Sequence, residues 1–372
     1  MPKRIKQNYY LRGLALQMQQ ITASPYIKTI LMWLILVDLK KYYRLLIVLT
    51  FLSCELSKQH AFQRVQGFAL GTTYSISYHN PKLDSTTLEK AVDSIINVMN
   101  QSMSTYVKDS DISKINRGDS LLEIDKHFEK VYRTASEVWK KTQGYFDPTV
   151  GSLVNAYGFG PESGLKELSE IKKEALLAYT GWEKTFLTQK KTIQKGHPKL
   201  YFDFNALAKG YAVDVIAEYL RSLSLSSFLV EIGGEIVAEG LSPKTGGLWK
   251  VAIDDPQQKE DRKFIKVISL KDEALATSGN YRKYKIDQVS GRRLVHSVNP
   301  KTGDAFPTNV LSASVIAPNC MLADAYATAL MVMPFEKSKT LIERETLLEA
   351  YWIIETETGA IEEVVSSGFT KE

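Results

Sequence analysis

Asp324 and Thr328 stand four residues apart in Met321–Leu330 (MLADAYATAL), a small and otherwise apolar run that reads as a helix. On a helix that spacing puts both side-chain oxygens on one face. A carboxylate and a hydroxyl so placed suit a hard cation such as Mg²⁺, which takes oxygen ligands and shares them with a bound phosphate. The same pair also fits an Asp that caps or solvates the helix and a Thr bonded back to its own turn. A second cluster surrounds Asp203 and Lys209. Leu200–Phe204 alternates as a strand with Leu200, Phe202 and Phe204 on one face, then runs through Asn205–Gly210 into a helix reaching about Leu220. A strand-to-helix junction of small residues exposes backbone N–H groups to an anion. Lys209 could contact a phosphate and Asp203 clamp a ligand, but by the pattern alone a surface Lys and a helix-cap Asp are the default reading. In Gly144–Gly151 (GYFDPTVG) and Tyr157–Gly160 (YGFG), glycines alternate with aromatics. That mixture suits close backbone approach to a flat ligand, or a purely structural turn.

The elements that would position these groups can be read from periodicity. Phe68–Thr73 leads to Tyr74–Tyr78, an alternating strand. Thr86–Glu89 matches a capping box, followed by Leu88, Val92, Ile95, Ile96 and Met99 at helical spacing. Asp109–Asn116 reads as a polar loop with a short turn, and Phe128–Trp139 as a second amphipathic helix ending near Gly144. Glu162–Lys195 reads as peripheral. Phe228–Ile232 and Glu235–Ala238 flank Gly233-Gly234, a two-residue hairpin turn. Trp249–Ile253, Phe264–Leu270 and Leu311–Ala317 are further strands, Ala276–Tyr281 a small-residue loop, and Tyr351–Val365 a closing hairpin. Asn299–Gly303 (NPKTG) is turn chemistry. Strands outnumber helices and many are joined by hairpins, so the expected class is α+β, with mixed, largely antiparallel sheets and flanking helices.

Charge separates the 372 residues into two parts. Residues 1–54 hold eight Lys or Arg against Asp38 alone, so a net charge of +5 leaves the remainder mildly acidic, with no nucleic-acid footprint. Lys40–Arg44 is a basic segment, Leu45–Leu52 (LLIVLTFL) a short apolar one, and Ser53-Cys54 ends it in the pattern of a bacterial lipoprotein signal. Neither that run nor Ile30–Val37 approaches the roughly 20 residues of a membrane-spanning helix. The expectation is an extension and signal over 1–54, with Met32 a candidate start, and a functional domain over 55–372. Cys54 would carry a lipid and tether the protein to the bacterial cell envelope, facing the periplasm. The other cysteine, Cys320, then has no disulfide partner, and no Cys/His cluster points to zinc.

Eight motifs in order resemble the ApbE family of FAD:protein FMN transferases over nearly all of 55–372. They are Gly67–Thr72 (GFALGT), Ser104–Tyr106, the two glycine–aromatic loops taken together, Asp203–Asp214 (DFNALAKGYAVD), Glu231–Glu235 (EIGGE), Thr277–Tyr281 (TSGNY), His296–Gly303 (HSVNPKTG) and Ala323–Thr328 (ADAYAT). The resemblance implies a T-fold-related architecture and a Mg²⁺-dependent enzyme with FAD as substrate. It would move FMN onto a Thr or Ser of an acceptor protein and release AMP. By motif, Asp324 and Thr328 would be metal ligands together with the backbone carbonyls of Ala206 and Ala327. Leu70, Tyr106, Tyr145, Phe146, Asp147, Asp203, Lys209 and Val298 would contact FAD, and His296 would activate the acceptor hydroxyl. The family commonly has Met at Leu70, Trp at Tyr157, Asp at Asn299 and a small residue at Asn205. No copy of the family's acceptor segment occurs in this chain, so the expected acceptor is another protein, a membrane redox subunit. The rival activities are hydrolysis of FAD to FMN and AMP by the same residues, and flavin carriage without chemistry.

Overall fold

The computed structural model describes residues 62–369 apart from 163, 166–167, 258–262, 281–283 and 288–290, together with positions 26, 29, 32 and 33. The apolar segment Leu45–Leu52 and Cys54 lie outside the described residues. Among the described residues, no helix is long and apolar enough to cross a membrane.

Phe62–Glu372 form one compact unit built on an antiparallel sheet of eight strands. In chain order these are β1 (Gln63–Ala69), β2 (Thr72–Tyr78), β5 (Phe228–Ile232), β6 (Glu235–Glu239), β9 (Glu273–Gly279), β12 (Val310–Ala317), β13 (Glu349–Glu355) and β14 (Ile361–Val365), and they lie side by side in that same order. Three two-stranded ribbons complete the β-structure: β3 (Thr185–Leu187) with β4 (Ile193–Lys195), β7 (Trp249–Asp254) with β8 (Phe264–Leu270), and β10 (Tyr284–Ile286) with β11 (Arg293–Val295). Side chains alternate across a strand, and the large sheet buries both faces. Val237, Ala276, Val315 and Trp352 join the main core. Ile236, Leu275, Ile316 and Tyr351 join a second core under β7–β8.

The main core is closed by helices α1 (Ser85–Met103), α3 (Lys126–Lys141), α6 (Ala208–Ser222) and α7 (Cys320–Val332). Smaller helices are α2 (Asp111–Asn116), α4 (Gly151–Ala156), α5 (Glu170–Tyr179) and α8 (Phe335–Arg344). In α7 every residue except Leu322 and Thr328 is buried, as expected of a helix apolar on nearly all sides.

Three expectations from periodicity need correction. The cap of α1 is Asp84, which accepts the Thr87 N–H at 2.9 Å, rather than a box opening at Thr86. Leu200–Phe204 buries its three apolar side chains but joins no sheet. Its backbone is satisfied by the Asn116 side chain, which accepts from Phe202 N at 2.7 Å and donates to Phe202 O at 2.9 Å, and by Asp203 N donating to Pro148 O at 2.8 Å. Ala276–Gly279 is strand, not loop. Its small residues let α7 lie close against β9 in the middle of the sheet.

Candidate active site

The sequence clusters converge on one cavity of about 820 Å³. Its walls include Leu70, Tyr106, Tyr145, Phe146, Asp147, Asp203, Ala206, Lys209, His296, Val298, Asp324 and Thr328, every expected site residue except Ala327. Ala327 is fully buried within α7, one residue from the wall.

The floor is the crossing of α6 and α7. Gly210 permits it, because a Cβ there would run into the Cys320 carbonyl oxygen and lie 2.9 Å from Cβ of Asp324. The two helices cap each other. Asp214 of α6 accepts the N–H groups of Cys320 and Met321 at 2.7 and 2.9 Å, while Asp324 of α7 accepts that of Gly210 at 3.0 Å. These bonds satisfy donors that helix N-termini leave unpaired, and they place carboxylates at positive dipole ends. Burial pushes the Asp324 carboxyl up. Lys209 opposes that shift, Glu235 reinforces it, and the Gly210 N–H opposes it. Burial would lower the Lys209 ammonium, but the carboxylates of Glu235 and Asp324 outweigh it and raise it above its ordinary value. Lys209 is ion-paired with Glu235, whose second oxygen, Oε2, is buried and has no hydrogen-bond partner.

This arrangement fits a cation. Two buried carboxylates face one ammonium, one carboxylate oxygen is unsatisfied, and Thr328 adds a hydroxyl on the same helix face, 3.3 Å from Ser278 Oγ. Among the described residues no three His, Cys, Asp or Glu side chains form a metal cage. The donors here are instead a carboxylate, a hydroxyl and nearby backbone carbonyls, a set that leaves coordination positions for phosphate oxygens.

The walls are shaped by strained or fully bonded loops. Leu70 and Gly71 turn β1 into β2 with φ of 50° and 76°, the left-handed pair of a tight hairpin turn and an uncommon conformation for leucine. Asp147 lines the cavity, but its carboxylate accepts from Thr149 N and Oγ1 at 2.8 and 2.6 Å and from Trp182 N at 2.9 Å. Gly181-Trp182 is therefore a buried brace for the Tyr145–Asp147 loop, not periphery. At the mouth His296 is half-buried, its ring edge-on to Phe159 at 6.4 Å. Tyr106 is 59% exposed and donates toward Phe159 O at 3.5 Å. Asn299 accepts the Lys301 N–H at 2.9 Å and so closes the turn beside His296. The neutral residue at that position performs a turn role.

Reading by residue type missed Glu235 and Ser278 as cavity residues. A signal for Glu235 was present: a glutamate opening an apolar strand immediately after a Gly-Gly turn.

The ApbE family pattern matches residues 70–352. The chain is 36% identical over 317 residues to the FAD:protein FMN transferase of Haemophilus influenzae, covering 82% of this chain and 90% of that protein. It is 37% identical over 310 residues to the one of Vibrio cholerae, covering 82% and 91%. Among solved structures, the flavin transferase ApbE from Vibrio cholerae superposes with a TM-score of 0.74 at 36% identity, covering 83% of this chain and 99% of that one. The apo flavinyl transferase ApbE of Pseudomonas stutzeri gives 0.74 at 30%, covering 83% and 96%.

Proposed function

The chain belongs to the ApbE family, and on that premise we propose that it moves the FMN half of FAD onto a Thr or Ser hydroxyl of an acceptor protein. The acceptor oxygen bonds to the FMN phosphorus, the bond from that phosphorus to the bridging oxygen of AMP breaks, and AMP leaves. The observation that carries this reading is the convergence of the separate motif residues on one cavity, with Lys209 and Asp324 at its floor and His296 at its mouth. Displacement at phosphorus asks a protein chiefly for positioning and charge compensation.

Each residue has a role its surroundings support. Lys209, held charged by its carboxylate neighbours, faces the pyrophosphate. The braced Tyr145–Asp147 loop and Leu70 hold the flat ring system. His296 takes the proton of the acceptor hydroxyl, a task suited to an imidazole near neutral pH. Asp324 and Thr328, with the carbonyls of Ala206 and Ala327, would hold Mg²⁺, which when bound neutralises and orients the pyrophosphate oxygens. Upstream, the basic and apolar pattern before Cys54 supports lipid attachment there and a membrane-tethered enzyme facing the periplasm. A lipid-precursor label that is lost in Cys54→Ala tests that tether.

The test of function combines the full chain, FAD, Mg²⁺ and a threonine-containing acceptor protein. A fluorescent acceptor band on a denaturing gel, with one AMP released per flavin attached and both lost on chelation, is the expected result. Equal AMP and free FMN without a band would mean hydrolysis. FAD recovered intact would mean carriage.

A further inference from the structure

Lys195 ends β4 and stands behind the cavity, outside its wall. Its half-buried ammonium donates to three backbone carbonyls, those of Asn116 and Leu200 at 2.9 Å and that of Pro198 at 3.1 Å. That employs all three of its donors. Among the described residues no carboxylate pairs with it, and burial alone pulls its pKa down to about 8. The titratable groups on the adjoining segments are engaged elsewhere. Arg117 donates to Lys108 O, Lys184 to the Ala178 and Thr180 carbonyls, Lys199 lies over the Tyr179 ring and His197 stacks on that same ring. The Tyr201 phenol is raised by its own burial. Withdrawing an ammonium from water without a counter-ion is unfavourable, so the value of Lys195 lies in the carbonyls it gathers.

Those carbonyls belong to the two ends of one support. Leu200–Phe204 joins no large sheet, and Asn116 and Lys195 hold it from one side while Pro148 accepts from Asp203 N on the other. The segment runs directly into Asp203 and Ala206 of the cavity wall. Asn116 is the last residue of α2, and the start of α2 is tied to a different wall. Ser110, its N-cap, and Ser113 donate to Ser104 O at 2.7 and 3.5 Å, two residues before Tyr106. Helix α2 is therefore a spacer between the Tyr106 loop and the Asp203 segment, and Lys195 pins its far end. The two walls sense each other: burial first, and then the Asp203 carboxylate, raise the Tyr106 phenol. Resting on the transferase reading above, we propose that Lys195 is a positioning residue for FAD, fixing from outside the cavity the distance between Asp203 and Tyr106. It touches no substrate. Charge-assisted bonds to carbonyls are stronger than neutral ones, and a neutral amine would have two donors for three carbonyls, so the support depends on the ammonium form.

The test reads FAD binding to the full chain by flavin fluorescence and transfer by labelling of a threonine-containing acceptor protein with Mg²⁺ present. Lys195→Met keeps the stem and removes the donors. It should weaken FAD binding about tenfold and raise the FAD concentration for half-maximal transfer alike, with the rate at saturating FAD changed less than about threefold. Lys195→Arg, which keeps charge and donors, should recover most of the affinity. In the wild type, FAD affinity should fall as pH rises through about 8 and approach that of Lys195→Met, which lacks this step. Titration at the cavity floor is common to both proteins, so the difference between them isolates Lys195. The wild-type pH profile needs no variant to fold. Three results overturn the proposal. One is wild-type FAD affinity in Lys195→Met. Another is a loss confined to the rate at saturating FAD. The third is a fall in affinity matched by a fall in urea midpoint, unrelieved by Lys195→Arg and with no step in the wild-type profile, which would make Lys195 a clasp of the fold alone. Intact FAD binding with neither AMP nor label from the wild type would instead bring down the transferase reading, of which the binding measurements are independent.

Discussion

The floor and the mouth of the cavity are built on opposite terms. The floor is a helix crossing with no spare volume, where Asp324 is 4% exposed and each of two helices donates a carboxylate to the other. The mouth is loops, with Tyr106 more than half exposed and His296 half-buried. Groups on the floor are bonded into the packing as well as the chemistry, so only a substitution that keeps their hydrogen bonds can separate the two. Groups at the mouth carry less of the packing and should affect the reaction more than the stability. The difference suits the transfer proposed above, which needs rigidity around a small substrate and exposure toward a macromolecular one.

The largest effect should come from Asp324→Asn. The amide oxygen still accepts the Gly210 N–H, so the crossing survives, but the charge is gone. Transfer should fall by roughly a thousandfold, reflecting the several kcal/mol a cation contributes at phosphorus. Because burial and the neighbouring Glu235 both disfavour charge on this carboxyl, thermal unfolding without Mg²⁺ should be no earlier than in the wild type. A variant that loses both activity and stability would place Asp324 in the architecture and not in the chemistry. His296→Ala is the matching change at the mouth. Loss of a general base lowers transfer by roughly 10²–10⁴-fold, while FAD affinity and unfolding temperature should stay at wild-type values. If FAD binding falls with it, the division between floor and mouth fails at that residue. Gly210→Ala tests the floor from the packing side. The new methyl meets backbone at Cys320, which cannot move without separating α6 from α7. Overpacking of that kind costs roughly 2–3 kcal/mol, to be read as a fall in urea midpoint. Mg²⁺-dependent transfer should drop as well, since Asp324 loses its N–H partner.

Much of the floor was legible in sequence because it obeys local periodicities. Asp324 and Thr328 share a face of a small, apolar run that reads as a helix, and the Gly-Gly hairpin of β5–β6 announces itself. The missed features depend on partners far along the chain. Leu200–Phe204 alternates like a strand, yet its hydrogen bonds go to Asn116, 86 residues before Phe202. Thr277–Gly279 looks like a loop by composition, and only the neighbouring helix explains why a central strand is made of such small residues. Trp182 lay within a stretch that reads as peripheral, and its backbone N–H turned out to hold Asp147. Local pattern reports which face is buried. It does not report what lies against it.

Glu235→Gln should give the smallest effect and the sharpest one. Glu235 is a floor residue by burial, yet one of its oxygens has no partner, and the other pairs with the Lys209 ammonium that is proposed above to face the pyrophosphate. Removing its charge leaves Lys209 with its full attraction for phosphate, while the glutamine oxygen can still hold the ammonium in place. FAD should therefore bind about three- to tenfold more tightly, a gain of roughly 1 kcal/mol, read by quenching of flavin fluorescence. Transfer to the acceptor should change by no more than a similar factor. Unchanged affinity would mean that Glu235 acts on Lys209 by orientation and not by charge. A loss of transfer as deep as that of Asp324→Asn would mean the unsatisfied oxygen of Glu235 helps hold the cation, which would extend the chemistry of the floor from α7 onto the sheet.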